Sequence, residues 1–289
     1  GVYRTGTLRL LSGVRLHLAE GATILGSTNR AHYNPTALIY AREADGIAIT
    51  GTGTLDANGG FVTSRGWRHN IIRMEDCTGV TVEGVATINS GSWSQHYVRC
   101  RELTLRNVDL TCTRPGRNND GLDITGCENV LIEGCVVASD DDCIVIKSFA
   151  AREMNRNVVA RNNIVYAYAS GFKLGTETRS IYEGIVCDGL QAFGGTTLGL
   201  YSVDGANTRG VRVENVFARA SRCVLGVALG ARLREGYFAE GEERVAGSLE
   251  DVIVRNVDAR VEALPYRDVL QAHGIAGAEM AHQLTVRPL

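Results

Sequence analysis

Short stretches in which apolar and polar residues alternate recur along most of the chain. They read GIAITG from Gly46, GVTVEG from Gly79, LTLRNV from Leu103, NVLIEG from Asn129, NVVARN from Asn157, GVRVEN from Gly210 and DVIVRN from Asp251. An alternation of period two over about six positions predicts a short strand with one buried face. The segments close on Asn or Gly, which tolerate left-handed and tight-turn backbone. A second series lies between them: DGLDITG from Asp120, DCIVIKS from Asp142, SGFKLGT from Ser170 and TLGLYSV from Thr197. Its offsets are 22, 28 and roughly 27 residues. Two or three short strands in a repeat of that length predict a parallel β-helix. Sandwiches and barrels turn every 8 to 12 residues instead, and few segments carry helical periodicity.

Coil-on-coil stacking turns the second series into columns. Leu122, Ile144, Phe172 and Leu198 are expected in one inward column, and Ile124, Ile146, Leu174 and Leu200 in another. Asp123, Val145, Lys173 and Gly199 then point outward, as do Asp120, Asp142 and Ser170. A slip of one residue would reverse every assignment. The expected architecture is all-β, a β-solenoid of about ten coils in one domain over residues 1–289.

Composition narrows the functional classes. With 289 residues, 44% hydrophobic and 21% charged, the chain can bury a core and is not disordered. No apolar run approaches a membrane span. A net charge of -2 with no long basic tract speaks against a nucleic-acid partner. Eight cysteines show no CxxC pair and no Cys/His metal spacing, so no metal is assigned. Cys77, Cys100 and Cys127 precede similar segments and read as buried thiols stacked in the repeat; a disulfide from Cys112 stays open. The chain opens on Gly1 with no visible signal peptide, which reads as processed or trimmed.

The chemistry concentrates where the second series begins. Asp120 and Asp142 fall on adjacent coils, and Asp140, Asp141 and Asp142 form a run. Asp141 and Asp142 can both face outward only if the chain bends between them. Crowded carboxylates repel, so at least one pKa should rise. Such a site can hold a protonated acid beside an ionised base, as glycoside hydrolysis requires. The plainer alternatives are a turn capped by Asp and Asn, or a Ca²⁺ site. The lysines tilt the balance. Of 30 basic residues only Lys147 and Lys173 are lysine, and both lie in the strands that carry the aspartates. A compact ammonium there suits a sugar hydroxyl, a carboxylate, or the tuning of a neighbouring acid.

At these residues the chain resembles glycoside hydrolase family 28, the polygalacturonase family. Asn118-Asn119-Asp120-Gly121-Leu122-Asp123 is similar to the family's Asn-Thr-Asp-Gly-x-Asp motif. Asp141-Asp142-Cys143-Ile144-Val145-Ile146-Lys147-Ser148 is similar to its Asp-Asp-Cys-Ile-Ala-Ile-Lys-Ser motif. Asn89-Ser90-Gly91-Ser92-Trp93 resembles its Asn-Ser-Pro-x-Trp segment, and the opening coils match as well. The resemblance implies a right-handed parallel β-helix and an inverting, cofactor-free hydrolysis. It implies Asp141 as general acid, with Asp120 and Asp142 holding and deprotonating water. Two family features are missing. Ser170 stands where Gly-His-Gly keeps its histidine, and Gly199 and Tyr201 stand where Arg-Ile-Lys grips a galacturonate carboxylate. A substituted, rhamnogalacturonan-like or other pectin-type glycan is therefore expected rather than plain polygalacturonate.

Candidate substrate contacts are Asn118, Lys147, Lys173, Glu177, Tyr201 and Arg232. Trp93, His96 and Tyr97 could form an apolar platform for a sugar face. A carbohydrate is the only partner implied, and polymeric glycans place the enzyme in the secreted or periplasmic compartment. Two other classes fit the same scaffold: a polysaccharide lyase or epimerase, and a catalytically weakened glycan-binding β-helix.

Overall fold

A computed structural model describes residues 1–60, 66–112 and 118–261, and the backbone of the strand Leu270–His273. Its strands wind into a parallel β-helix, as the repeat predicts. One sheet contains ten parallel strands, one from each successive coil, which matches the expected ten. The other strands form two further faces, linked where Asn207–Ser221 and Ser248–Val261 run through both.

The predicted register is the observed one. In the ten-stranded sheet Leu122 pairs with Ile144, Ile144 with Phe172, and Phe172 with Leu198. All four are fully buried, as are Ile124, Ile146, Leu174 and Leu200 in the parallel column. The first series does the same on a second face, where Val80, Leu103, Val130, Val158, Ile185, Val211 and Val252 stack in register. Burying such columns supplies most of the folding energy, at about 25 cal/mol per Å² of apolar surface.

The turn residues act as expected. Gly84, Asn107, Gly134, Asn162, Gly189, Asn215 and Asn256 close successive rungs, and every one has a positive φ, between 51° and 76°. Only Gly, or Asn at small cost, adopts that conformation readily. Asn side chains also bridge coils: Asn157 Nδ2 donates to Asn129 Oδ1 at 3.0 Å and Asn256 Nδ2 to Asn215 Oδ1 at 2.7 Å.

The eight cysteines are all buried free thiols. Cys100 N donates to Cys127 Sγ at 3.3 Å, and Cys127 N donates to Asn155 Oδ1 at 3.2 Å. Cys127 and then Asn155 thus serve as turn acceptors on successive coils. No described helix is long and apolar enough to cross a membrane.

Candidate active site

The aspartates sit at the entry to the ten-stranded sheet. Asp120 precedes the strand Leu122–Thr125, and Asp141 and Asp142 precede Ile144–Ser148. Residues 140–143 lie outside any strand, which supplies the bend the sequence requires. Asp141 N donates to Ser139 Oγ at 3.0 Å, and that hydroxyl donates to the Asn119 carbonyl at 2.7 Å. The two motifs are therefore tied backbone to backbone across adjacent coils.

The carboxylates open onto a cleft of about 470 Å³. Its lining includes Asp120, Asp141, Asp142, Lys147, Lys173 and Glu177. Each of the two lysines has a carboxylate of its own. Lys147 Nζ donates to Asp120 Oδ2 at 2.6 Å, and Lys173 Nζ donates to Asp142 Oδ2 at 2.8 Å. Asn118 Nδ2 donates to Asp141 Oδ2 at 2.9 Å. The trio expected to stand exposed differs in depth: Asp120 and Asp142 are 2% and 3% exposed, and Asp141 alone is only half-buried.

Burial sets the electrostatics. It pushes the Asp120 carboxyl up to about 6, against the pull of the Lys147 ammonium and with help from Asp142. Burial, then the Asp142 charge, also raises the Asp141 carboxyl, while Lys173 and Asn118 oppose. Asp123 is fully buried, and burial holds its carboxyl well above the usual range. Burial alone would lower the Lys147 ammonium, but Asp123 and Asp120 outweigh it and hold its pKa above the ordinary lysine value.

Several expected substrate contacts turn out to be internal. Lys147 reaches the cleft floor, yet its ammonium lies 2.6 Å from Asp120 and 3.0 Å from Asp123, and 3.9 Å over the Trp93 ring. His96 is buried; its Nε2 lies 3.0 Å from Thr125 Oγ1, and Trp93 packs edge-on at 5.0 Å. Burial, aided by Arg73, Lys147 and Arg99, holds its pKa well below 6.5. It packs beneath Trp93 and does not line the cleft. Tyr97 belongs to the core, because the strand phase that turns His96 outward turns Tyr97 inward. Trp93 instead stacks on Phe149 at 6.1 Å, and Phe149 meets Tyr237 edge-on at 5.5 Å, forming an aromatic wall.

Arg232 is likewise committed. Its Nε donates to Asp204 Oδ1 at 2.9 Å, its Nη2 bonds Asp204 Oδ2 and the Thr176 carbonyl, and its Nη1 lies 3.5 Å from Glu177. Tyr201 is half-buried beside Lys173, 5.8 Å from the ammonium, and does not line the cleft. Glu177 does line it and faces Arg232 and Arg234 at 3.5 and 3.6 Å. Gly199 leaves the Lys173 stem and the Tyr201 ring their room: a Cβ there would stand 3.2 Å from Lys173 Cγ and 3.4 Å from the ring.

Sequence reasoning placed Asp123 in the right column without giving it a role; its signal was the second acid of the Asp-Gly-x-Asp motif. Arg68 and Arg234 also line the cleft and were not singled out. They lie outside strands, where no periodicity marks them. Among the described residues no group of three or more His, Cys, Asp or Glu side chains could hold a metal ion.

Comparison with known proteins places the chain among its relatives. The "Probable polygalacturonase" of Vitis vinifera is 23% identical over 252 residues, 76% of this chain and 51% of that protein. The "Endo-polygalacturonase" of Pectobacterium carotovorum subsp. carotovorum is 25% identical over 252 residues, 74% of this chain and 62% of the relative. The chain thus spans about half to three-fifths of the length of these relatives. A hyperthermoactive exopolygalacturonase from Thermotoga maritima shares the fold with a TM-score of 0.69 at 22% identity, over 95% of this chain and 76% of that one. The family model for glycosyl hydrolases family 28 matches residues 5–179, a span that holds the three aspartates and both lysines but ends before Gly199, Tyr201 and Arg232. The chain belongs to glycosyl hydrolases family 28.

Proposed function

We propose that this chain hydrolyses a glycosidic bond in a pectin-type poly- or oligosaccharide with inversion at the anomeric carbon. The observation that carries this reading is the convergence of Asp120, Asp141 and Asp142 on one cleft, two tied to a lysine and the third to Asn118. Asp141 is the reachable carboxyl, its pKa raised by burial, and serves as the general acid that protonates the leaving oxygen. Asp120 and Asp142 hold the attacking water between them and take up its proton. The Trp93, Phe149 and Tyr237 rings offer the apolar surface on which a sugar face packs. Polymeric pectic glycans lie outside cells, so the working compartment is extracellular or periplasmic.

The substrate is a substituted or rhamnogalacturonan-like glycan in preference to plain polygalacturonate. Ser170, Gly199 and Tyr201 supply no cation where the family resemblance expects His, Arg and Lys. Lys147, Lys173 and Arg232 are bound to Asp120, Asp142 and Asp204 and are not free to grip a uronate. A hydrogen bond to a charged group contributes about 1.5–3 kcal/mol, so each missing cation should cost about 10- to 150-fold in kcat/KM on a galacturonate. The test compares kcat/KM on polygalacturonate with that on rhamnogalacturonan and neutral-glycan panels. Higher activity on one of the latter is expected. Lys173→Met should lower activity and Tm together on every glycan, because it strands the buried Asp142 carboxylate. A clear preference for unsubstituted polygalacturonate contradicts the reading.

A further inference from the structure

Beneath the cleft lies a buried unit in which one cation faces two acids. Lys147 Nζ sits between Asp120 Oδ2 at 2.6 Å and Asp123 Oδ1 at 3.0 Å, with side-chain exposures of 4%, 3% and 0%. The indole of Trp93, 3.9 Å away, closes another side of the ammonium. The acids are not equivalent. Asp120 accepts a short hydrogen bond from Lys147. Asp123 is the deeper of the two, its contact with Lys147 is the longer, and its Oδ2 has no hydrogen-bond partner. Ionising one acid makes a neutral ion pair. Ionising both leaves a net negative charge in a space nearly closed to water, which is costly.

We infer that Asp123 keeps its proton while Asp120 is ionised, so that the Lys147 ammonium serves Asp120 alone. Asp123 and Lys147 are then positioning residues. Lys147 sets the pH at which Asp120 becomes a base, and Asp123 fills the far side of the ammonium without competing for its charge. This rests on the reading of Asp120 as a catalytic base.

The surroundings agree. Across the strand Gln95–Val98, His96 is held neutral by burial, with Arg73 and Arg99 beyond it. Asp141 and Asp142 stand on the other side, and Asp142 is matched by Lys173. Glu177 lies 4.0 Å from the ammonium and is answered by Arg232 and Arg234. Arg68 stands at the cleft lining. The remaining charges are thus largely paired among themselves, and the ammonium has a single ionised acid to neutralise.

Infrared spectroscopy of the chain labelled with ¹³C-carboxyl aspartate tests this without any substrate. At neutral pH a buried protonated Asp carbonyl band is expected, and Asp123→Asn should abolish it. In pH profiles of kcat/KM, Lys147→Met should move the acidic limb to higher pH by about one to three units, because removing a cation raises the Asp120 pKa. Asp123→Asn should leave that limb in place, whatever its effect on kcat, because no charge is removed. No band lost in Asp123→Asn, or an acidic limb that falls to lower pH in that variant, would overturn the inference. If Lys147→Met does not fold, the band and the Asp123→Asn profile still decide it. Absence of hydrolysis on every glycan would remove the proposed function and leave the infrared result standing.

Discussion

Replacing Asp141 with Asn is expected to lower kcat by about 10²- to 10⁴-fold, the range a general acid contributes. The exchange keeps the shape and removes the proton donor. Asp141 is half-buried, and its one side-chain hydrogen bond is accepted from the exposed Asn118, so folding should change little. Asp120→Asn and Asp142→Asn should reduce kcat comparably, since in the proposed mechanism each removes a group that holds or deprotonates the water. They should also perturb the fold more, because the first strands the buried Lys147 and the second the partly buried Lys173 without their carboxylates. Steady-state kinetics beside thermal unfolding separates the two effects. Near-full activity in all three variants would remove the aspartates from the chemistry.

A large loss of stability is expected away from the aspartates, from Arg232→Met. Asp204 is fully buried, and Arg232 is its charge partner through two nitrogens. Removing one member of a buried pair costs about 3–5 kcal/mol, because the other charge is left uncompensated. Arg232 keeps a quarter of its side chain exposed, so about 3 kcal/mol is the expected value. The same contact anchors the segment that carries Arg234 and Tyr237 over the cleft, with Arg179 bonding Tyr237 O at 3.1 Å as a second tether. Arg232→Met should therefore lower Tm and raise KM together. Asp204→Asn with Arg232→Met should recover part of the stability, because no buried charge remains. A single Arg232→Met variant with unchanged Tm would mean that Asp204 is satisfied by Thr178 N and Arg234 N alone.

The fold could be read from the chain because its repeat is written in residue chemistry. Alternation fixes the face, Asn and Gly fix the turns, and the 22- to 28-residue offset fixes the stacking; Leu122, Ile144 and Phe172 fall where those rules put them. The places of the aspartates could be read for the same reason, since Asp120 and Asp142 sit at equivalent places on adjacent coils with Asp141 next to Asp142. Depth could not. Asp123 and Val145 occupy the outward column, yet both are fully buried, and over Asp123 lies the Lys147 ammonium with the Trp93 ring beside it. An outward direction in the pleat is a local property, whereas exposure depends on what distant turns lay over it. Pairing was hidden as well: a rare lysine looks like a substrate contact until it is seen lodged between Asp120 and Asp123. Arg234 and Arg68 come from irregular segments, where spacing carries no geometric information.

The central claim is that these aspartates invert a glycosidic bond by direct hydrolysis. Proton NMR of the anomeric region during the first minutes of digestion of the preferred pectic oligosaccharide tests it most directly. The account predicts a saturated reducing end whose first-formed anomer is opposite to that of the cleaved bond, before mutarotation. A retained anomer would instead require a covalent nucleophile, and an unsaturated, ultraviolet-absorbing product would mark a lyase; either result would contradict the account.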